Sequence, residues 1–114
     1  MLKLGGKLFV SVLHPCFNGK DIHWSGGNIV PEVVVHNYFS PTEWEAPIAK
    51  NINSIVLWRH RTLQEYVKTF VKNNLNIIHL NEPIPDEQQV SKSPRLSYLS
   101  KIPMFLFFEL EKTV

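Results

Sequence analysis

The chain has 114 residues and a mass of 13.2 kDa, enough for one domain or part of one. Apolar residues make up 44%, charged residues 19%, and the net charge is +2, an ordinary globular balance that is too weakly basic for a nucleic-acid footprint. The Lys and Arg residues are scattered, with no basic run interleaved with aromatics. The lone cysteine, Cys16, excludes a disulfide framework and fits a reducing compartment. Lys3 and Lys7 precede a short apolar run at 8–13, but Ser11 interrupts it and no small-residue cleavage site follows, so it does not read as a signal peptide. No apolar stretch approaches the ~20 residues of a membrane span. The expectation is a cytoplasmic protein with no membrane and no nucleic-acid partner.

In chain order, Gly5-Gly6 turns into a strand at 7–13, KLFVSVL, ended by Pro15. The strand is apolar on both faces apart from Ser11, which predicts burial on both sides. Residues 18–55 are rich in Gly, Pro, Asn and aromatics and carry weak periodicity; 32–39 and 52–59 read as the two arms of a hairpin. The clearest helix spans 63–73. Leu63, Tyr66, Val67, Phe70 and Val71 recur at helical spacing as one apolar stripe, and Thr62 with Glu65 has the T-x-x-E spacing of a capping box. Lys68 and Lys72 fall in its later turns, where the dipole favours cations, and Asn73-Asn74 offers a left-handed exit. A strand follows at 75–80, LNIIHL, stopped by Pro83 and Pro85. Residues 83–101 read as a polar loop in which Asp86 and Glu87 are solvated. The run at 104–110, MFLFFEL, is the most apolar of all and predicts an interior strand.

Several of these pieces resemble class I S-adenosylmethionine-dependent methyltransferases. Leu2-Lys3-Leu4-Gly5-Gly6 and the strand after it look like the "LKPGG, then strand" element that opens the fifth strand of that family's sheet, with Leu4 in place of Pro. His14-Pro15-Cys16-Phe17, His60-Arg61-Thr62-Leu63 with Tyr66-Val67, and Glu82-Pro83 through Pro85-Asp86-Glu87 to Ile102-Pro103-Met104-Phe105-Leu106 resemble one subgroup's "HPCF", "HRTLSDYV" and "EPxPDE … IPxFL" segments, in order. The resemblance implies an α/β fold: a partial Rossmann-like methyltransferase sheet of three strands, the last antiparallel, with one amphipathic helix. Residues 1–114 would form the C-terminal part of a single methyltransferase domain, with 18–55 as a lid-like insertion. It implies that the run at 104–110 lies between the strands at 7–13 and 75–80. It also implies methyl transfer from S-adenosylmethionine to a small molecule by direct displacement.

That family holds its cofactor with a Gly-rich loop after the first strand and an acidic residue ending the second. This sequence has no G-x-G, and the resemblance begins only at the fifth strand. S-adenosylmethionine belongs to the full family, and no useful binding is expected of this chain alone. The chain reads as a truncated product, a partner in a split enzyme, or a piece of a longer chain. Its expected partners are a small-molecule methyl acceptor and either an N-terminal half in trans or a second copy. A second reading is a non-catalytic remnant or interaction module that needs a partner chain.

His14 follows the C-terminal end of a strand, where open α/β sheets place ligands, and is the candidate catalytic base or hydrogen-bond donor; the alternative is a loop histidine that caps the strand. His60 and Arg61 are candidates to hold an anionic or carbonyl group of the substrate; the alternative is a pair bonding to backbone at a helix entry. Trp24 and Tyr38 are further candidate substrate-binding residues in the lid-like segment with Phe39, Trp44 and Trp58, where aromatics suit a flat or apolar acceptor; the alternative is the segment's own small core. Cys16 reads as a semi-buried thiol. The histidines show no metal-ligand spacing, so no metal is expected.

Overall fold

The computed structural model describes residues 2–27, 30–47 and 53–113. Its centre is a three-stranded sheet of β1 (Lys7–Leu13), β6 (Leu75–Asn81) and β7 (Phe105–Lys112), in the order β1-β7-β6. β7 runs antiparallel to both neighbours, pairing Val10 with Phe108 on one side and Leu80 with Phe108 on the other. This is the expected order, and the fold is the expected partial α/β sheet. α1 (Leu63–Lys72) covers one face. Strand alternation sends Leu106, Phe108 and Leu110 toward it, each at most 1% exposed, and Phe70 of α1 meets Phe108 edge-on at 5.0 Å. Val10, Val12, Leu63, Tyr66 and Leu75 pack around this cluster. Val71, at the margin of the sequence stripe, is 67% exposed.

α1 begins as its sequence dictates. The Thr62 hydroxyl accepts from Glu65 N–H at 3.2 Å and the Glu65 carboxylate reaches back to Thr62 N–H at 3.5 Å, which closes the capping box. Asn74, with φ 58°, supplies the left-handed exit into β6.

Three expectations are corrected. The segment 32–39 does not pair with 52–59, although Ile52 lies outside the described residues. Instead there are two hairpins: β2 (Ile22–Ser25) with β3 (Glu32–Val35), and β4 (Thr42–Pro47) with β5 (Ile55–His60). The stretch 83–101 is not a loop. It holds α2 (Glu87–Lys92), capped by Asp86 and Gln89 in a second capping box, and then a 3₁₀ helix, Pro94–Ser100. Asp86 is therefore a cap rather than a free carboxylate. Last, β1 is not buried on both sides. Phe9 is 71% exposed, because no strand pairs with the free edge of β1 among the described residues and α1 covers only the other face. Leu8, Val10 and Val12 lie on the α1 side, opposite Leu110, Phe108 and Leu106; Val10 and Val12 are partly buried, and Leu8, near the start of the strand, stays 40% exposed.

The two sheet edges differ. β6 carries Asn76, His79 and Asn81 and breaks its register between Ile77 and His79, features that blunt pairing with another chain. β1 is regular and apolar. The chain exposes 8297 Å² of surface. A compact monomer of this mass exposes about 6,400 Å². The radius of gyration is 16.2 Å, against about 13 Å for a closed domain of this length. Phe9, Phe105 and Phe107 on the open face account for part of this excess.

Two outcomes follow. Thr62→Ala should lower stability by about 1 kcal/mol, read as a shifted denaturant midpoint at constant slope. The chain should self-associate in sedimentation velocity at tens of micromolar. Phe9→Lys, which places a cation opposite Glu109 on the open face, should reduce that association.

Candidate functional site

β1 and β6 both oppose β7, so they run parallel to each other and end at the same edge of the sheet. His14 is the first residue after β1 and Glu82 the first after β6. Their side chains meet across the end of β7, with His14 Nε2 2.6 Å from Glu82 Oε2. Cys16 N–H donates to His14 Nδ1 at 3.3 Å, so the ring proton belongs on Nε2, where it is donated to the carboxylate. His14 is 5% exposed and tilts against Phe17 at 4.8 Å. The ring thus presents no free nitrogen, and the arrangement is that of a strand-end histidine orienting Glu82, whose side chain is 47% exposed. Glu82 stood in the sequence only as part of the Glu82-Pro83 resemblance and was not among the candidate site residues. The signal for it was topological: two strands flanking an antiparallel one place their next residues together.

Asn18 ties this edge to the lid-like segment. Its side-chain amide donates to the carbonyls of His14 and Met104, each at 3.1 Å. Its own carbonyl faces His60 Nδ1 at 3.1 Å, and His60 Nε2 faces the Tyr38 carbonyl at 2.8 Å. His60 ends β5 and is 5% exposed, held between these two carbonyls. The Tyr38 hydroxyl accepts from Leu63 N–H at 2.9 Å, satisfying one of the orphan donors at the start of α1. Tyr38 is therefore a pin between the segment and α1.

A cleft of about 420 Å³ opens between the C-terminal half of β1, the hairpin β4–β5 and the start of α1. His60 and Arg61 both line it, as do Trp44 and Trp58. The two indoles come from directly opposed positions of the hairpin and lie near-parallel, centroids 6.4 Å apart and planes at 19°. Trp58 Nε1–H donates to the Ala46 carbonyl at 3.1 Å. Arg59 pairs with Glu43 at 3.0 Å, both half exposed. Arg61 makes no ion pair or hydrogen bond among the described residues, and its charge reaches the Tyr66 phenol in the same wall. Trp24 and Tyr38 do not line this cleft. Trp24 donates to the Phe17 carbonyl at 2.6 Å and meets Tyr98 edge-on at 5.5 Å beside a separate cavity. Cys16 is a free thiol, 3.9 Å from the Tyr38 hydroxyl.

Two solved structures match this architecture. One, from Listeria monocytogenes and assigned as an S-adenosylmethionine-dependent methyltransferase, superposes with a TM-score of 0.77 at 24% identity, over 99% of this chain and 50% of the other. The other, an S-adenosylmethionine-dependent methyltransferase from Mesorhizobium loti, gives 0.72 at 22% identity, over 96% and 49%. This chain carries half of a methyltransferase fold. It spans about half the length of the solved structures it matches. No protein-family profile matches it, and no curated protein sequence does.

The described residues do not fit S-adenosylmethionine. A nucleotide cofactor needs a close-approach loop at a helix start and free backbone donors there. Of the first three N–H groups of α1, those of Leu63 and Glu65 are already taken, by the Tyr38 hydroxyl and the Thr62 hydroxyl. The left-handed glycines Gly5, Gly26 and Gly27 lie in turns beside strands, none leading into a helix. Among the described residues, no helix is long and apolar enough to cross a membrane.

Burial pushes the Tyr66 phenol above its ordinary 10.0, with Arg61 opposing and Glu65 adding. Tyr38 is also pushed up, chiefly by burial, against the hydrogen bond from Leu63 N–H. Both phenols hold their protons more firmly in the folded chain than in the unfolded one. The stability this confers is complete below pH 10.0 and is lost as pH rises through the folded values. The denaturant midpoint should therefore fall in that alkaline window, and Tyr66→Phe should make the fall shallower.

Proposed function

We propose that this chain is the acceptor-binding half of an S-adenosylmethionine-dependent methyltransferase that acts on a small molecule in the cytoplasm. It stays inactive until a half carrying the cofactor site joins it along β1. The observation that carries this reading is the superposition of 99% of the chain on half of a methyltransferase structure. Two features support it: the unpaired apolar edge of β1, and a cleft at the sheet edge where open α/β sheets take ligands. The contribution of this chain would be position. Trp44, Trp58, His60 and Arg61 would hold and orient the acceptor in the cleft, and closing the sheet on β1 would exclude water.

The test is calorimetric. Several missing buried polar contacts at roughly 1–3 kcal/mol each should leave the chain alone with a dissociation constant for S-adenosylmethionine weaker than about 1 mM. The unmatched half of the Listeria protein, added in trans, should form a complex with the chain and restore cofactor binding. Micromolar binding by the chain alone overturns the division of labour. A chain that stays monomeric and ignores the added half overturns the half-enzyme reading and favours an independent interaction module.

A further inference from the structure

We infer that the cleft accepts a flat, largely apolar molecule bearing one negative charge, an aromatic or heteroaromatic carboxylate, with its ring against the Trp44–Trp58 pair and its carboxylate on Arg61. This rests on the cleft being the acceptor site. The lining holds two guanidinium groups, those of Arg59 and Arg61, and no carboxylate. Arg59 is already neutralised from outside by Glu43 at 3.0 Å. Arg61 is exposed and without an ion pair among the described residues, so it is the cation left to meet a ligand. A guanidinium binds a carboxylate through two parallel N–H···O bonds, a geometry that an ammonium or hydroxyl ligand cannot return.

The neighbours of Arg61 agree. The Tyr66 hydroxyl stands close enough to feel its charge and has no hydrogen-bond partner among the described residues, so it can donate to the second carboxylate oxygen. An acceptor with a positive charge would meet the unpaired guanidinium of Arg61 and no carboxylate in the lining. The two indoles already contact each other, so the ligand ring lies on the outer face of the pair rather than between them. A volume of about 420 Å³ holds a molecule of one or two fused rings.

Equilibrium dialysis of the full chain against naphthoate and against its uncharged isostere naphthamide tests this. Naphthoate should bind about ten-fold more tightly than naphthamide, the worth of one charge-assisted pair. Arg61→Gln should erase the difference by weakening naphthoate alone, and Arg61→Lys should restore part of it. Equal retention of the two probes, or a preference for naphthoate that survives Arg61→Gln, overturns the assignment of the charge to Arg61 and leaves the acceptor site standing. Retention of neither probe overturns the acceptor site itself, and this inference with it.

Discussion

The antiparallel course of β7 between β1 and β6 sets everything at the functional edge. Because both neighbours oppose β7, they run parallel, and the residues that follow them emerge on one side. His14 and Glu82, separated by most of the sequence, become hydrogen-bonded partners for that reason alone. The same strand supplies the three most buried side chains, Leu106, Phe108 and Leu110, so the element that fixes the topology also anchors the core under α1. A substitution that dislodged β7 would cost packing and site geometry together.

The two hairpins are attached differently. Among the described residues, neither pairs a strand with the central sheet. They are fastened by single hydrogen bonds at their ends: His60 to the Asn18 carbonyl, the Tyr38 hydroxyl to Leu63 N–H, and Trp24 to the Phe17 carbonyl. Asn18 reaches β1, β7 and β5 at once, and its two amide bonds hold the turn against Met104 while its carbonyl faces His60. A neutral imidazole has one N–H to offer the two carbonyls that flank His60, whereas the protonated ring serves both.

The parts of the fold legible in the sequence were those encoded locally and redundantly. Thr62, Glu65 and the stripe from Leu63 to Phe70 repeat one message in propensity, capping and periodicity, and α1 forms where they place it. The β4–β5 hairpin was hidden because Pro41 and Pro47 bound its first strand and read as loop punctuation, although Glu43 and Glu45 outward with Thr42, Trp44 and Ala46 inward keep a strand's alternation. α2 was hidden because Asp86 and Glu87 read as solvated charge, when Asp86 in fact caps a short helix. For β1 the sequence and the structure speak of different surroundings. Leu8 and Phe9 point to opposite faces and each is suited to burial, yet among the described residues nothing shields Phe9, which is 71% exposed. In the site, His60 and Arg61 came together as the sequence order allowed, whereas Glu82, Trp24 and Tyr38 depended on which loops meet, which no local pattern records.

The hairpin β4–β5 is gripped at one end only. His60 seats its base between the Asn18 and Tyr38 carbonyls. At roughly 3.3 Å per residue, Trp58 lies about 7 Å from that anchor and Ile55 about 17 Å from it. Trp44, Trp58, Arg59 and His60, which line the cleft, all belong to the gripped end, whereas Ile55 is exposed and lines none of it. The recognition surface is thereby built on the stretch of hairpin whose position the hydrogen bonds dictate.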